Sequence, residues 1–303
     1  MHPVQGPLTA DLIFTAWRLD PITTGVVFVL LAAYWLAWRR STVPIYRAIV
    51  FSVVGAAVWL LAGISVIGVF SDYLFWIRAL QFVLLMLVAP FGLALGTPVT
   101  VVYQTLGDSG RARLDAALAS RMARILLGPI VTSVLLLATP WVIYFSGWYE
   151  GLLRDEVVDV VTRLLLVAIG SVYFYVRLQL DPVPHRYPQA LSLGITTIES
   201  IIDGLLGIVL WQGPTVAVGY YQGLARTWGP GLRTDQTIGA GILWILGDVV
   251  GLPFLMVLFR RFRTDERTRE QIADAEVNDI ETANPAYSGL WWEQDQNLRD
   301  RYR

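Results

Sequence analysis

Apolar and polar positions along this chain separate into long blocks rather than alternating residue by residue. Seven apolar runs approach the ~20 residues that an α-helix needs to cross a bilayer core. They are Thr23–Trp38, Ile49–Phe70, Tyr73–Leu95, Met122–Phe145, Val157–Arg177, Leu191–Trp211 and Thr237–Phe259. Arginines, prolines, glycines or a change to polar composition bound each run. The pattern predicts an all-α membrane protein, a seven-helix transmembrane bundle occupying residues 23–260. Ahead of it, residues 1–22 predict an N-terminal interfacial segment, with Leu8–Trp17 amphipathic enough to lie along the membrane surface. After it, residues 261–303 predict a charged cytoplasmic tail.

Two connections are substantial. GDSGRARLDAALASR (107–121) spaces leucine and alanine at helical intervals and predicts a short surface helix. The loop after the sixth run, 212–235, is rich in glycine and aromatics, and loops of that length are usually functional or partner-facing. Tyr220, Tyr221 and Trp228 are its candidate contacts. In the tail, Asn284-Pro285 ends a helical pattern, and the adjacent Trp291 and Trp292 point to docking on a partner.

Arginine placement sets the expected orientation. One set of loops holds Arg39, Arg40, Arg47, Arg111, Arg113, Arg121, Arg186, Arg260, Arg261 and Arg263, with Arg177 at its edge. The other holds Arg18, Arg154, Arg226 and Arg233. The expectation is an N-terminus outside and a C-terminus in the cytoplasm.

Composition agrees. The chain has 303 residues, 55% hydrophobic and only 16% charged, and a soluble domain of that size carries more charge. A net charge of -1 offers nothing to nucleic acid. Cysteine is absent, which removes disulfides, thiolate metal sites and cysteine nucleophiles. The two histidines, His2 and His185, fall on opposite sides and make no multi-histidine metal centre. No nucleophile–base constellation points to an enzyme.

Five charged residues stand out inside the runs: Arg78, Arg163, Glu199, Asp203 and Asp248. Left unpaired, each costs about 2.5–3.5 kcal/mol on insertion scales. Glu199 and Asp203 are four apart and share a helical face. The expected remedy is an ion-pair network in which Arg78 and Arg163 pair with two of the three acids, Asp203 among them, with Gln81 in support. The competing expectation is a proton or cation path along Glu199, Asp203 and Asp248, because three acids face two arginines.

Several stretches also resemble a known family. QFVLLMLVAPFGLALGTPV (81–99), LDPVPHRYP from Leu180, WGPGLRTDQTIGAGILWILGD (228–248) and LFRRFRTDER are similar, in this order, to segments of the CtaG family of cytochrome c oxidase assembly factors. The resemblance implies a membrane protein that works on the respiratory oxidase, its subunits or another membrane complex, and it implies copper. The departures bear on the copper. The family's His-x-x-Gln-His positions fall here at Arg78, Gln81 and Phe82, its fifth-span histidine near Arg163, and its sixth-span histidine at Asp203. Arginine and phenylalanine offer no lone pair. The expectation is therefore an assembly or accessory factor without copper or any other cofactor at these positions.

Overall fold

The computed structural model describes residues 6–9, 11–184, 189–249, 251–257 and 259, and beyond them 263, 267, 270, 271, 274 and 275; it describes side chains at all of these except 189–193. His2, His185, Trp291 and Trp292 lie outside the described residues. Regular structure among the described residues is entirely helical. In chain order the helices are α1 (Leu12–Thr15), α2 (Pro21–Trp38), α3 (Ile45–Ile64), α4 (Val66–Phe70), α5 (Phe75–Thr105), α6 (Asp108–Ala119), α7 (Arg121–Leu126), α8 (Pro129–Phe145), α9 (Trp148–Arg154), α10 (Glu156–Leu178), α11 (Gln189–Gln212), α12 (Val218–Gly223) and α13 (Leu232–Val257).

Six of these are long and apolar enough to cross a membrane: α2, α3, α5, α10, α11 and α13. The predicted fourth run is divided. Helix α7 stops before Gly128, because the residue ahead of Pro129 is disfavoured in helix, and α8 then runs only 17 residues. It continues after a 71° bend as α9, and that pair makes a seventh span if counted as one. The second run ends early, at Ile64, because Ser65 is extended and caps α4 by accepting from the Ile67 amide. The third runs on to Thr105 through a left-handed Thr97 (φ 50). The surface helix between the third and fourth runs forms as expected, as α6.

Helix starts follow local chemistry. Asp20 accepts from the Thr23 amide ahead of Pro21, and Asp155 accepts from the amides of Val157 and Val158, so α2 and α10 both begin on an aspartate cap. Small residues let the spans approach closely. A Cβ on Gly92 of α5 would meet the Val54 carbonyl carbon of α3 at 2.6 Å, and one on Gly170 of α10 would strike the Met86 carbonyl of α5. Both contacts involve or adjoin π-helical turns, at Phe51–Ala57 and Leu84–Val88. A third such turn, Ile242–Leu246, lies in α13.

The two ends of the bundle are each tied by a carboxylate. At one end Asp235, at the start of α13, accepts from the Trp76 amide at the start of α5 (3.0 Å). Beside it Gln236 accepts from Val216 N and donates to the Leu210 and Pro214 carbonyls, which fastens the loop after α11. At the other end Asp181, just past α10, accepts from Thr100 N (2.7 Å), Thr100 Oγ1 (2.6 Å) and Val99 N (3.2 Å) near the end of α5.

Candidate functional site

The five charged residues singled out from the sequence divide into two clusters. The first is at the end where α2, α5 and α10 begin. Arg78 donates from Nη1 to Asp159 (2.6 Å) and Gln81 (3.0 Å), from Nε to the Ser71 carbonyl (3.3 Å), and from Nη2 to Asp72. Arg163 places Nε 3.1 Å from Asp159 and donates from Nη1 to Asp20. Arg18 lies 3.4 Å from Asp72 and 3.6 Å from Asp159, and donates from Nε to the Gly63 carbonyl at 3.0 Å. Gln81 joins this cluster, accepting from Arg78 and donating to the Ala62 carbonyl at 2.7 Å. Three arginines thus face three aspartates, and the cluster is neutral by itself.

These ion pairs correct the expected pairing. Neither Arg78 nor Arg163 reaches Asp203, Glu199 or Asp248. Helical side chains lean toward their own N-terminus. Helices α5 and α10 start at this end, so their arginines lean outward to Asp20, Asp72 and Asp159. Helix α11 ends here, so Glu199 and Asp203 lean the opposite way. Asp159 is also one turn before Arg163 on the same face.

The cluster floors a cleft of about 670 Å³ whose wall includes Arg18, Asp20, Asp72, Asp159, Arg163 and Tyr220. Two of these groups precede the first span. Burial pushes the Asp20 carboxyl up, but its bonds from Thr23 and the Arg163 guanidinium more than offset that and hold it below the ordinary value. Burial, then the neighbouring Arg163 charge, lowers Arg18.

The second cluster is on α10 and α11. Glu199 accepts from Arg177 Nη2 (2.6 Å) and from the Tyr173 hydroxyl (2.6 Å). Arg177 also donates to Ser133 (2.6 Å) and lies over the Tyr173 ring. Arg177 is fully buried, although the sequence places it at a loop edge. One turn along α11, Asp203 lines a small cavity of about 50 Å³ with Tyr173, Thr196, Glu199, Ser200 and Asp248. A neighbouring cavity of about 40 Å³ brings Asp203 together with Phe82. Cavities of that size each hold a few waters. Among the described residues no basic side chain pairs with Asp203 or Asp248, and no group of three His, Cys, Asp or Glu is placed to hold a metal. Asp248, just past the π-helical turn of α13, is exposed where it borders that cavity.

The loop aromatics differ in fate. Tyr220 is at the cleft rim with Arg154 over its ring. Tyr221, expected to face a partner, is instead 5% exposed and shares a 2.8 Å hydrogen bond with Tyr149, so it is part of the core. Trp228 packs edge-on against Phe70 and under Arg226. The sequence reading passes over Arg18, Asp20, Asp72, Asp159 and Arg177. The available signals were the Asp159–Arg163 spacing and the acid directly before Pro21.

Three comparisons bear on identity. A family model described as "Cytochrome c oxidase caa3 assembly factor (Caa3_CtaG)" matches residues 28–265. Uncharacterized proteins of Mycobacterium bovis and Mycobacterium tuberculosis are each 26% identical over 288 residues, 91% of this chain and 43% of theirs. One of Mycobacterium leprae is 22% identical over 258 residues, 81% of this chain and 38% of its own. The chain therefore spans less than half the length of the curated relatives it matches. No solved structure matches it.

Proposed function

The chain belongs to the family of cytochrome c oxidase caa3 assembly factors, and from that premise we propose that it is a non-catalytic scaffold of the bacterial plasma membrane, acting on oxidase subunits without intramembrane copper. The observation that carries the second half is the neutral cluster of Arg18, Arg78 and Arg163 with Asp20, Asp72 and Asp159. Two of its members, Arg78 and Arg163, stand where the family resemblance places histidines. Arg78 and Arg163 provide only donors, Phe82 provides neither donor nor acceptor, and of those four positions only Asp203 retains a lone pair. Soft or borderline copper ions favour imidazole and sulfur over a single carboxylate. The residues present therefore do not fit copper. An arginine–aspartate lattice does the structural part of a metal's work, drawing α2, α5 and α10 together at one end.

The proposed orientation puts the cleft outside, on the arginine-poor side, where Tyr220 and Trp228 would meet a partner; the tail carrying Trp291 and Trp292 would do so in the cytoplasm. Purification from native membranes tests this. The expected result is co-purification of oxidase subunits and copper far below one per chain. Stoichiometric copper, lost on Asp203→Asn, would overturn the metal-free reading.

One observation favours a second reading. Asp203 and Asp248 share a cavity without a pairing cation among the described residues. That arrangement suits a proton or cation passing between them. An Asp203→Asn protein that keeps its fold but loses an ion flux in proteoliposomes would put transport ahead of scaffolding.

A further inference from the structure

A groove of about 530 Å³ opens on the opposite side from the acidic cavity, between α7, α8 and α10. Its walls are Met122 and Leu126 of α7, Leu135 of α8, and Ala168, Ile169 and Val172 of α10. Only two polar side chains line it, and both are already engaged. The Thr132 hydroxyl donates to the backbone carbonyls of Gly128 and Pro129, and the Ser120 hydroxyl accepts from the Ala123 amide. Two partly engaged hydroxyls leave little hydrogen-bonding capacity there for water or an ion.

Position in the bundle says what does fit. Val172 and Ala168 are six and ten residues before the end of α10 at Leu178, so the groove runs from about 9 to 15 Å below that end at 1.5 Å per residue. That is the depth of one leaflet of a hydrocarbon core ~30 Å thick. A second helix, ~10 Å across, would cover this groove rather than fill it. On α7, which forms one wall, Arg121 and Arg124 stand exposed, with Arg113 exposed on α6. Among the described residues no carboxylate pairs with any of these three guanidiniums. Met122, 67% exposed, lies between the arginines of α7. An apolar slot one leaflet deep thus adjoins exposed cations that have no carboxylate partner among the described residues.

We propose that this groove is a binding site for an anionic phospholipid: one acyl chain lies along Leu126, Leu135 and Ile169, and Arg121 and Arg124 hold the phosphate. Guanidinium forks match phosphate oxygens, and a headgroup such as that of phosphatidylglycerol brings no ammonium to compete for them. The site is separate from both ionic clusters and independent of any role in oxidase assembly.

The test uses the full chain reconstituted in nanodiscs of phosphatidylcholine containing a minor fraction of phosphatidylglycerol. The lipid retained after transfer to detergent is then measured by native mass spectrometry. The expected result is retained phosphatidylglycerol well above its bulk fraction. Arg121→Gln with Arg124→Gln is expected to lower that enrichment by roughly fivefold per arginine, the factor for ~1 kcal/mol per basic residue at an anionic surface, with the melting temperature unchanged. Ala168→Leu, which narrows the slot, is expected to reduce retention of both lipids. Retention at bulk composition, or enrichment insensitive to the double arginine variant, would overturn the proposal. Should Ala168→Leu impair folding, the exposed arginine variant decides the matter alone.

Discussion

Asp159 stands within ion-pair distance of three guanidiniums, those of Arg18, Arg78 and Arg163. Removing one partner of a buried ionic set costs about 3–5 kcal/mol, because the charges left behind remain desolvated. Asp159→Asn would leave Asp72 as the one carboxylate paired with Arg78, which is 1% exposed, and Asp20 as the one paired with Arg163. The substitution is expected to lower the unfolding temperature in detergent far more than Asp248→Asn, whose carboxylate has no cation partner among the described residues. Equal effects would mean that the lattice contributes little. Asp20 adds a pH signature. Its folded-state value is below the ordinary carboxylate range, so its contribution is complete above that range and is lost as pH falls through the folded value. The acid limb of the stability curve below about pH 4 should therefore flatten in Asp20→Asn. At this scale the sequence was only half legible. Buried arginines in apolar runs announce a network, but which acids answer them depends on the direction each helix runs. Asp159 reads as an ordinary first-turn acid, and Asp72 as a loop residue.

The existence of the long helices was easier to read, because apolar run length is a local signal. Their ends were not: the second run stops at Ile64, the third continues to Thr105 and the fourth is divided ahead of Pro129. Nor were the close approaches between spans, since they depend on which glycines face each other. Gly170 lies against the Met86 carbonyl, and a methyl there collides with backbone rather than with a movable side chain. Gly170→Ala is expected to destabilise by about 1–3 kcal/mol, the usual cost of overpacking. Gly25→Ala in α2, with nothing within 4 Å of the new methyl, should be neutral or slightly stabilising. Matching thermal shifts for the two variants would show that α5 and α10 are not packed through Gly170. The π-helical turn Leu84–Val88, which carries that carbonyl, has no sequence mark of its own: LLMLV is unremarkable helix former throughout.

Across the whole molecule, two contacts decide how the chain traverses the bundle. Arg78 meets Asp159 where α5 and α10 begin, and Thr100 meets Asp181 near where they end, so the two helices run in the same direction. The segment between them must then carry the chain from the far end of α5 back to the near end of α10. Only α8, with its bent continuation α9, is available to do so, and the pair is therefore expected to act as one crossing despite its short first part. Because the chain has no cysteine, single substitutions can report this against an empty background. Ala116→Cys lies on α6, between the third and fourth predicted spans, and Gln222→Cys lies on α12, between the sixth and seventh; both positions are exposed. If α8 and α9 cross as one span, three crossings separate the two sites, and a membrane-impermeant maleimide will label only one of them in intact cells. With an N-terminus outside, that one is Gln222→Cys, and Ala116→Cys reacts only after permeabilisation. If the bent pair turns back without crossing, two crossings remain and both sites label from the same side. That result would reduce the protein to six spans and contradict the parallel run of α5 and α10.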